Sequence, residues 1–159
     1  MKKLLKLLEK DCTLSRDQLA AATGMTRDAV DAAIDQLERD KVILGYRTLV
    51  DWERVQPEAV TALIQLNVTP QSIDGYDRIA EHIYQYEEVE SMYLMSGSYD
   101  MAILVSGRTL REVSEFVGSR LAPLEGVNGT STHFILKRYK EQHVTVPKRK
   151  EKEERFVFE

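Results

Sequence analysis

Cysteine is almost absent from the sequence, and so are long apolar runs. With one cysteine, Cys12, in 159 residues, the chain cannot form an intramolecular disulfide or offer a cysteine pair to a metal ion. No apolar run approaches the roughly 20 residues that span a bilayer. Lys6 and Glu9 interrupt the leucine-rich start, and no small-residue cleavage site follows it. We therefore expect a protein of the reducing cytoplasm that does not associate with a membrane.

Signals of enzyme chemistry are scarce as well. The only histidines are His82, His133 and His143, and the sequence contains no His/Cys cluster, nucleophile motif or phosphate-cradling glycine loop. His133 falls within a predicted strand, where a lone histidine is more often a structural hydrogen-bonding residue than a ligand. These absences predict a protein that is not an enzyme and that needs no metal or cofactor.

The charges that are present are unevenly distributed. Residues 1–54 carry ten basic and ten acidic side chains, residues 55–136 carry four and eleven, and residues 137–159 carry eight and five. The change of balance near residue 55 coincides with Pro57, which disfavours a continuous helix. We therefore expect a first domain at residues 1–54, a second at residues 55–141, and a charged tail at residues 142–159.

Residues 15–37 have the pattern of two helices joined by a tight turn. Ser15 followed by Gln18 forms a capping box, which places the start of a helix at Arg16. Gly24 is suited to the positive φ that ends this helix, and Thr26 is a suitable N-cap for the next. The apolar residues of that second helix recur at helical spacing: Ala29, Val30, Ala33, Ile34 and Leu37. The pattern predicts a helix-turn-helix, and the β-rich stretch at residues 41–52 predicts a wing or connecting strand.

The second helix is unusually acidic for an element that binds DNA. Its sequence, RDAVDAAIDQLERD at residues 27–40, contains two arginines and five acids. Carboxylates oppose the phosphate attraction that dominates affinity for nucleic acids, although an aspartate can accept a hydrogen bond from N4 of cytosine. The alternative is a helical hairpin that packs or dimerises without touching DNA. If the helix does bind DNA, the expected contact residues are Thr26, Arg27, Asp28, Asp31, Asp35, Lys41 and Arg47.

The rest of the chain predicts a second, α/β module. Its elements follow in the order βαββαβ, which is the ferredoxin-like arrangement. One face of such a sheet is covered by two helices, and the other needs a partner, for which a second copy of the chain is the simplest choice. The predicted elements are strands at 60–68, 89–95, 101–107 and 131–139, and helices at 71–86 and after Thr109.

Together the two modules resemble the Lrp/AsnC family of transcriptional regulators, also called feast/famine regulators. The segments that carry the resemblance are QLAAATGMT, LERDKVILGYRTLVDW, VESMYLMSGSYDMAILV and STHFILKRYK. The resemblance implies an α+β protein with an N-terminal winged helix-turn-helix that binds DNA. It also implies a C-terminal ferredoxin-like domain, called RAM, that forms a homodimer and binds an amino acid between dimers, in assemblies up to a tetramer or octamer.

The resemblance further implies an effector pocket around the hairpin turn of the second module. The ammonium of an amino acid needs an acceptor, which Asp100 provides, and its carboxylate needs hydrogen-bond donors. The alternative role of Asp100 is structural, as an acceptor of hydrogen bonds within the turn. The implied pocket residues are Ser96, Gly97, Ser98, Tyr99 and Asp100, with Thr69, Ser131 and Thr132 nearby.

Two rival functions follow from the same sequence. The acidic helix is compatible with an amino-acid sensor that has lost its own DNA contacts. The two-module plan is also similar to that of some tetrapyrrole decarboxylases. Because one fold can carry several functions, an enzyme of this kind is the second rival. The tail has two interpretations. It is either a solvated charge run, or it contacts DNA through Lys148, Arg149 and Lys150 while Phe156 and Phe158 dock on a neighbouring subunit.

Overall fold

The chain folds as two compact units. The structure, a computed structural model, describes residues 1–69 and 75–147, and the division between the units falls between Val50 and Asp51. This position lies four residues before the boundary expected from the charge distribution. Among the described residues, we find no helix with the length and hydrophobicity needed to span a membrane.

The first unit is a bundle of three helices: α1 at Lys2–Lys10, α2 at Arg16–Thr23 and α3 at Arg27–Arg39. Apolar side chains spaced three or four residues apart along each helix meet in one core. The buried residues of this core are Leu4, Leu8, Leu19, Val30, Ala33, Ile34 and Leu37. The leucine-rich start of the chain is therefore an amphipathic helix that buries Leu4 and Leu8 in this core.

The helix ends of the first unit are set by the capping residues that the sequence predicts. The Ser15 hydroxyl accepts a hydrogen bond from the backbone N–H of Gln18, and the Gln18 side chain accepts from the backbone of Ser15, which completes the capping box. Gly24 follows α2 at a φ of 77°. Thr26 caps α3 by accepting from the N–H of Ala29. The helix-turn-helix is confirmed to the residue.

The predicted wing strand does not form in the first unit. Lys41, at a φ of 56°, ends the helical path, and the N–H groups of Val42 and Ile43 donate to the carbonyl oxygen of Leu37 at 2.9 and 3.1 Å. Residues 44–50 belong to no strand. A strand needs a neighbouring strand to satisfy its backbone hydrogen-bonding groups, and this unit contains only helices. The β-rich composition of this segment is therefore not sufficient to form a strand.

The second unit is built around a four-stranded antiparallel sheet with the strand order β2-β3-β1-β4. This order confirms the predicted ferredoxin-like arrangement. Its elements are α4 (Trp52–Val55), β1 (Val60–Val68), α5 (Gly75–Ile83), β2 (Val89–Leu94), β3 (Met101–Gly107), α6 (Leu110–Phe116) with a π-helical continuation (Val117–Leu121), and β4 (Val127–Phe134).

Alternation along the two central strands divides the sheet into two faces. One face packs under α5 and α6, with Ala62, Ile64, Leu66 and Val68 of β1 and Met101, Ile103 and Val105 of β3 buried there. The intervening residues point to the other face, opposite the core formed with α5 and α6. We call this the uncovered face, and it consists of Thr61, Leu63, Gln65, Tyr93, Ala102, Leu104, Ser106, Ser131 and His133.

The fourth strand differs from its prediction at both ends. It begins at Val127, four residues earlier than expected, because Val127 pairs with Val68 at the end of β1. Asn128 and Gly129 have low β propensity and conceal this start in the sequence. The strand ends at Phe134. The Ile135 N–H still donates to the carbonyl of Thr61 in β1 at 2.8 Å, and residues 136–139 belong to no strand. The predicted helix at 71–86 is observed as Gly75–Ile83, and residues 70–74 lie outside the described part.

A small hairpin follows the main sheet and was not predicted. Strands β5 (Lys140–Glu141) and β6 (Val144–Thr145) pair around Gln142 and His143, whose φ values are 40° and 71°. Glycine and asparagine are the usual residues at such positions, so Gln142 and His143 do not signal a turn. The hairpin spans the expected boundary between domain and tail, and the tail residues Lys148, Arg149, Lys150, Phe156 and Phe158 lie outside the described residues.

The turn glycine of the helix-turn-helix offers a test of the first unit. We expect Gly24→Ala to lower the free energy of unfolding by about 1 kcal/mol, because a Cβ disfavours the left-handed conformation. A Cβ would meet nothing within 4 Å, so the loss comes from backbone strain alone. Gly45→Ala is the matched control, since it also meets nothing within 4 Å and its φ is not positive. Urea unfolding followed by circular dichroism measures the free energy of unfolding of both variants. Equal losses in the two variants would contradict a left-handed backbone at Gly24.

Candidate DNA-binding and effector sites

The amino-terminal end of α3 presents the first predicted DNA contacts. The Thr26 hydroxyl oxygen accepts from the Ala29 N–H at 3.2 Å, which leaves its hydrogen to donate elsewhere. The Arg27 side chain is 63% exposed and lies 3.5 Å from Asp17. Asp28 is exposed on the same first turn. A helix amino terminus with free N–H groups favours phosphate, so this end of α3 combines attraction from Arg27 with repulsion from Asp28.

The three outward acids of α3 differ in their surroundings. Asp31 accepts a hydrogen bond from Arg16 of α2, with 2.7 Å between Nε and Oδ1. Asp28 and Asp35 are exposed and make no ion pair among the described residues. One of the three carboxylates is thus compensated by a cation from the neighbouring helix, which the sequence analysis missed because the two partners are fifteen residues apart.

Lys41 and Arg47 are both exposed and follow α3. The segment that carries Arg47 is anchored to α3, because the Tyr46 hydroxyl donates to the Glu38 carboxylate at 2.8 Å. Burial raises the pKa of Tyr46, and the hydrogen bond to Glu38 raises it further, so this phenol is protonated at neutral pH. The first unit therefore brings Lys41 and Arg47 next to the carboxyl end of α3, while Thr26, Arg27 and Asp28 lie at its amino end.

In the second unit, Asp100 fixes the end of the sheet. Its N–H donates to the Leu66 carbonyl at 2.9 Å, and its Oδ2 accepts from the Val68 N–H at 2.8 Å. Its carbonyl accepts from the Met95 N–H at 2.8 Å. The structural role considered for Asp100 is therefore present, and it extends to β1 beyond the turn itself. Oδ1 has no hydrogen-bond partner among the described residues.

The other predicted effector residues fall into two groups. Ser96, Gly97 and Ser98 are exposed at the hairpin tip, and Tyr99 is half-buried beside Asp100. Thr69 lies at the same end of the sheet, one residue after Val68. Its N–H donates to the Gly126 carbonyl at 2.8 Å, and its hydroxyl oxygen accepts from the Asn128 amide at 2.6 Å.

Ser131 and Thr132 do not join the hairpin residues within one chain. They pair with Gln65 and Ile64 farther along β1, and β1 separates them from β3. Because consecutive strand residues point to opposite faces, Ser131 lies on the uncovered face and Thr132 on the helical face. Ser131 instead contacts His133, with 3.2 Å between its hydroxyl and Nε2, which fits the structural role expected for this histidine.

A cavity of about 360 Å³ opens beside Thr69, between α5 and the loop before β4. Arg78 and His82, four residues apart on one face of α5, give it a basic side. This cavity was not predicted from the sequence, although the four-residue spacing of Arg78 and His82 is a signal that could have revealed it. The lining residues are Thr69, Gly75, Arg78, Ile79, His82, Pro123, Leu124, Glu125 and Gly126. Within the described ranges no cluster of three or more His, Cys, Asp or Glu residues is arranged to hold a metal ion.

The uncovered face combines apolar residues with one polar line. Leu63 and Leu104 are directly paired at its centre. Along one edge, the Ser106 hydroxyl donates to Glu90 and lies 3.3 Å from the Thr61 hydroxyl. Arg138 donates to Thr61 at 3.3 Å and pairs with Glu141 at 3.2 Å. This polar line connects β2, β3 and β1 to the segment after β4 and does not involve Leu63 or Leu104 at the apolar centre.

Comparison with known protein families gives a match for each unit. Residues 1–43 match the model described as winged helix-turn-helix DNA-binding. Residues 61–145, which are more than half of the chain, match the model of the Lrp/AsnC ligand binding domain. The two matches correspond to the helical unit and to the unit that contains the sheet.

Individual relatives agree with these matches. The HTH-type transcriptional regulator YugG of Bacillus subtilis is 41% identical over 138 residues, which cover 86% of this chain and 83% of YugG. An AsnC family transcriptional regulator from Agrobacterium tumefaciens superposes with a TM-score of 0.72 at 26% identity, over 88% of this chain and 90% of that one. A transcriptional regulator from Neisseria meningitidis, solved in complex with L-Met, has a TM-score of 0.73 at 22% identity, over 91% and 92% of the two chains. With both of its units matched in their order along the sequence, the chain belongs to the Lrp/AsnC family of transcriptional regulators.

Proposed function

We propose that this chain controls transcription by binding DNA through its first unit, and that an amino acid or a related small metabolite bound to the second unit modulates this binding. The observation that carries the proposal is the combination, in one chain, of a fully capped helix-turn-helix with a ligand-binding domain of the Lrp/AsnC type. A regulator acts where the chromosome is, so the proposal places the chain in the cytoplasm.

The helix-turn-helix supports a specific docking geometry. In such motifs the second helix enters the major groove and the first crosses the backbone, which assigns α3 to the groove. Thr26, Arg27 and the N–H groups of the α3 amino terminus then contact phosphates, as do Lys41 and Arg47. Asp28 and Asp35 face the groove, where an aspartate reads cytosine through its N4 amino group.

The effector site is proposed at the hairpin end of the sheet. Asp100 receives the ligand ammonium on its free Oδ1, while the exposed N–H and hydroxyl groups of residues 96–98 receive the carboxylate. The Neisseria meningitidis regulator was solved with L-Met, which supports an amino acid as the ligand class. Strand β1 lies between the hairpin and Ser131 and Thr132, so we assign any contribution from these two residues to a second chain in the assembly.

A homodimer through the uncovered face completes the proposed assembly. Leu63, Ala102 and Leu104 provide an apolar centre, and a two-fold axis would place the same patch on both partners. Tetramers or octamers would follow from further contacts between dimers, and several DNA-binding units in one assembly add avidity to weak individual contacts.

Experiments distinguish the proposed function from two alternatives, an amino-acid sensor that does not bind DNA and a tetrapyrrole decarboxylase. The relatives described above are named as transcriptional regulators, which favours regulation over catalysis. The acidic residues of α3 are the observation on which the sensor-only alternative depends. Its distinguishing result is a protein that binds an amino acid and leaves DNA unshifted, whereas a decarboxylase would bind a tetrapyrrole.

DNA binding is tested by a gel shift on the region upstream of the protein's own gene. We expect a shift whose strength changes when a panel of amino acids is added. Arg27→Ala should weaken the shift. It should also lower the slope of affinity against salt concentration by about one for each DNA-binding unit in the assembly, because each unit loses one phosphate contact. Lys6→Ala, which removes the same charge from the exposed side of α1, is the control and should bind like the parent. If the parent shifts no duplex at low salt, the sensor-only alternative takes precedence.

Effector binding is tested by separating the two roles of Asp100. Asp100→Asn retains an oxygen that can accept from the Val68 N–H but loses the charge that the ammonium needs. We expect it to fold normally and to bind the amino acid about 1.5–3 kcal/mol more weakly by calorimetry. Asp100→Ala should in addition melt earlier, because it leaves the Val68 N–H unpaired. Arg78→Ala locates the ligand, since a loss of affinity there with none in Asp100→Asn would move the site to the cavity beside α5.

The dimer is tested by placing a carboxylate at the centre of the uncovered face. We expect the parent to be a dimer or larger at micromolar concentration in light scattering, and Leu104→Asp to be a monomer, because a buried unpaired charge is strongly unfavourable. Leu110→Asp makes the same chemical change at an exposed position of α6 and should leave the assembly intact. A parent that is already monomeric would contradict the proposed interface.

A further inference from the structure

We propose that Arg16 contacts the DNA backbone and that Asp31 is the positioning residue that holds it there, so that this acid of α3 supports DNA binding. The inference rests on the proposed DNA-binding function and deepens it. It adds Arg16 to the interface and reverses the role that the sequence suggests for Asp31.

The geometry of the pair leaves the useful end of Arg16 free. The 2.7 Å bond to Asp31 engages only Nε, while the terminal Nη1 and Nη2 groups make no hydrogen bond to the described residues. An arginine carries five donors in a fixed planar fork, so four remain for another partner. The side chains of Arg16 and Asp31 are 38% and 45% exposed, and the fork is therefore accessible to a ligand.

The position of Arg16 in the motif identifies that ligand. It is the first residue of α2, the helix that crosses the DNA backbone in a helix-turn-helix, while Asp31 lies on the second turn of the helix that enters the groove. A guanidinium held between these two elements is at the border of groove and backbone, where phosphate oxygens lie. Arginine is also well matched to phosphate, because its fork can donate two parallel hydrogen bonds.

Stability is a poor explanation for the pair. Ion pairs between partly exposed side chains contribute little to folding, because water screens them and because ordering two side chains is unfavourable. The same ordering is an advantage for binding. A side chain that is already fixed loses less conformational freedom when DNA arrives, so Asp31 prepares Arg16 for contact.

The neighbouring charges of α3 provide the contrast that makes the inference testable. Asp35 lies one turn after Asp31, is exposed and has no ion pair among the described residues. It has the same charge on the same helix, without a cation to position. The pair between Arg27 and Asp17 is longer, at 3.5 Å, and its side chains are 63% and 73% exposed, so it orders its arginine less.

The experiment compares Asp31→Ala with Asp35→Ala on the upstream duplex and on a random duplex of equal length. Both variants remove one negative charge, and Asp35→Ala should bind the random duplex more tightly than the parent, because the phosphate attraction does not depend on sequence. We expect Asp31→Ala to bind about two- to tenfold more weakly, the range associated with ordering one long side chain. Asp31→Asn keeps an oxygen that can accept from Arg16 Nε and should bind at least as tightly as the parent.

A second comparison isolates the coupling between the two residues. Arg16→Ala should weaken DNA binding and lower the slope of affinity against salt concentration by about one for each DNA-binding unit. In that background, Asp31→Ala should strengthen binding, because the acid then has no arginine to position. The effect of Asp31→Ala thus changes sign with the residue at position 16, which a purely structural pair would not produce. Circular dichroism melting of all variants verifies that they are folded at the titration temperature.

The outcomes separate this inference from the proposed function. If the parent binds neither duplex, DNA binding fails and the inference fails with it. If the parent binds while Arg16→Ala binds equally well, or Asp31→Ala binds the random duplex as tightly as Asp35→Ala does, only the role of Arg16 and Asp31 is overturned.

Discussion

The second unit depends on the pairing of one strand, β1, with neighbours on both sides. Its nine residues pair with β3 and with β4, so its alternation decides which side chains enter the core and which face outward. The carbonyl of Leu66 also accepts from the N–H of Asp100, and the N–H of Val68 donates to the Asp100 carboxylate. The N–H of Thr69 donates to the Gly126 carbonyl in the loop before β4. The candidate effector site is therefore an extension of the hydrogen bonding of the central strand.

Elements that are set by neighbouring residues in the sequence are predicted well. Elements that are set by contacts between distant residues are predicted poorly. The caps at Ser15, Thr26 and Thr109 depend on residues three positions away, and all three are observed. The strands β1 and β3 are apolar runs with clear boundaries, and their predicted limits agree with the structure. By contrast, the start of β4 is determined by pairing with Val68, and residues 44–50 form no strand because the first unit offers no neighbouring strand.

The same distinction applies to the candidate sites. The family resemblance selected the hairpin residues as a group, and among the described residues one carboxylate oxygen of Asp100 accepts from the Val68 N–H while the other has no partner. The resemblance did not reveal that Ser131 and Thr132 point to opposite faces, since this follows only from the register with β1. Nor does a count of charges along α3 show that Asp31 and Asp35 differ, because the partner of Asp31 comes from another helix. The electrostatic character of a surface depends on which charges are paired, and sequence alone does not give the pairs.

The dual bonding of Asp100 affects how relatives of this protein should be compared. An aspartate that closes the end of a sheet is under selection for folding, whether or not a ligand ever binds to its second oxygen. A descendant that lost its effector would still keep the residue, and a search for this aspartate would count it as a sensor. The hairpin tip at Ser96, Gly97 and Ser98 makes no such contribution to the sheet, so variation there is the better record of which small molecule each relative recognises.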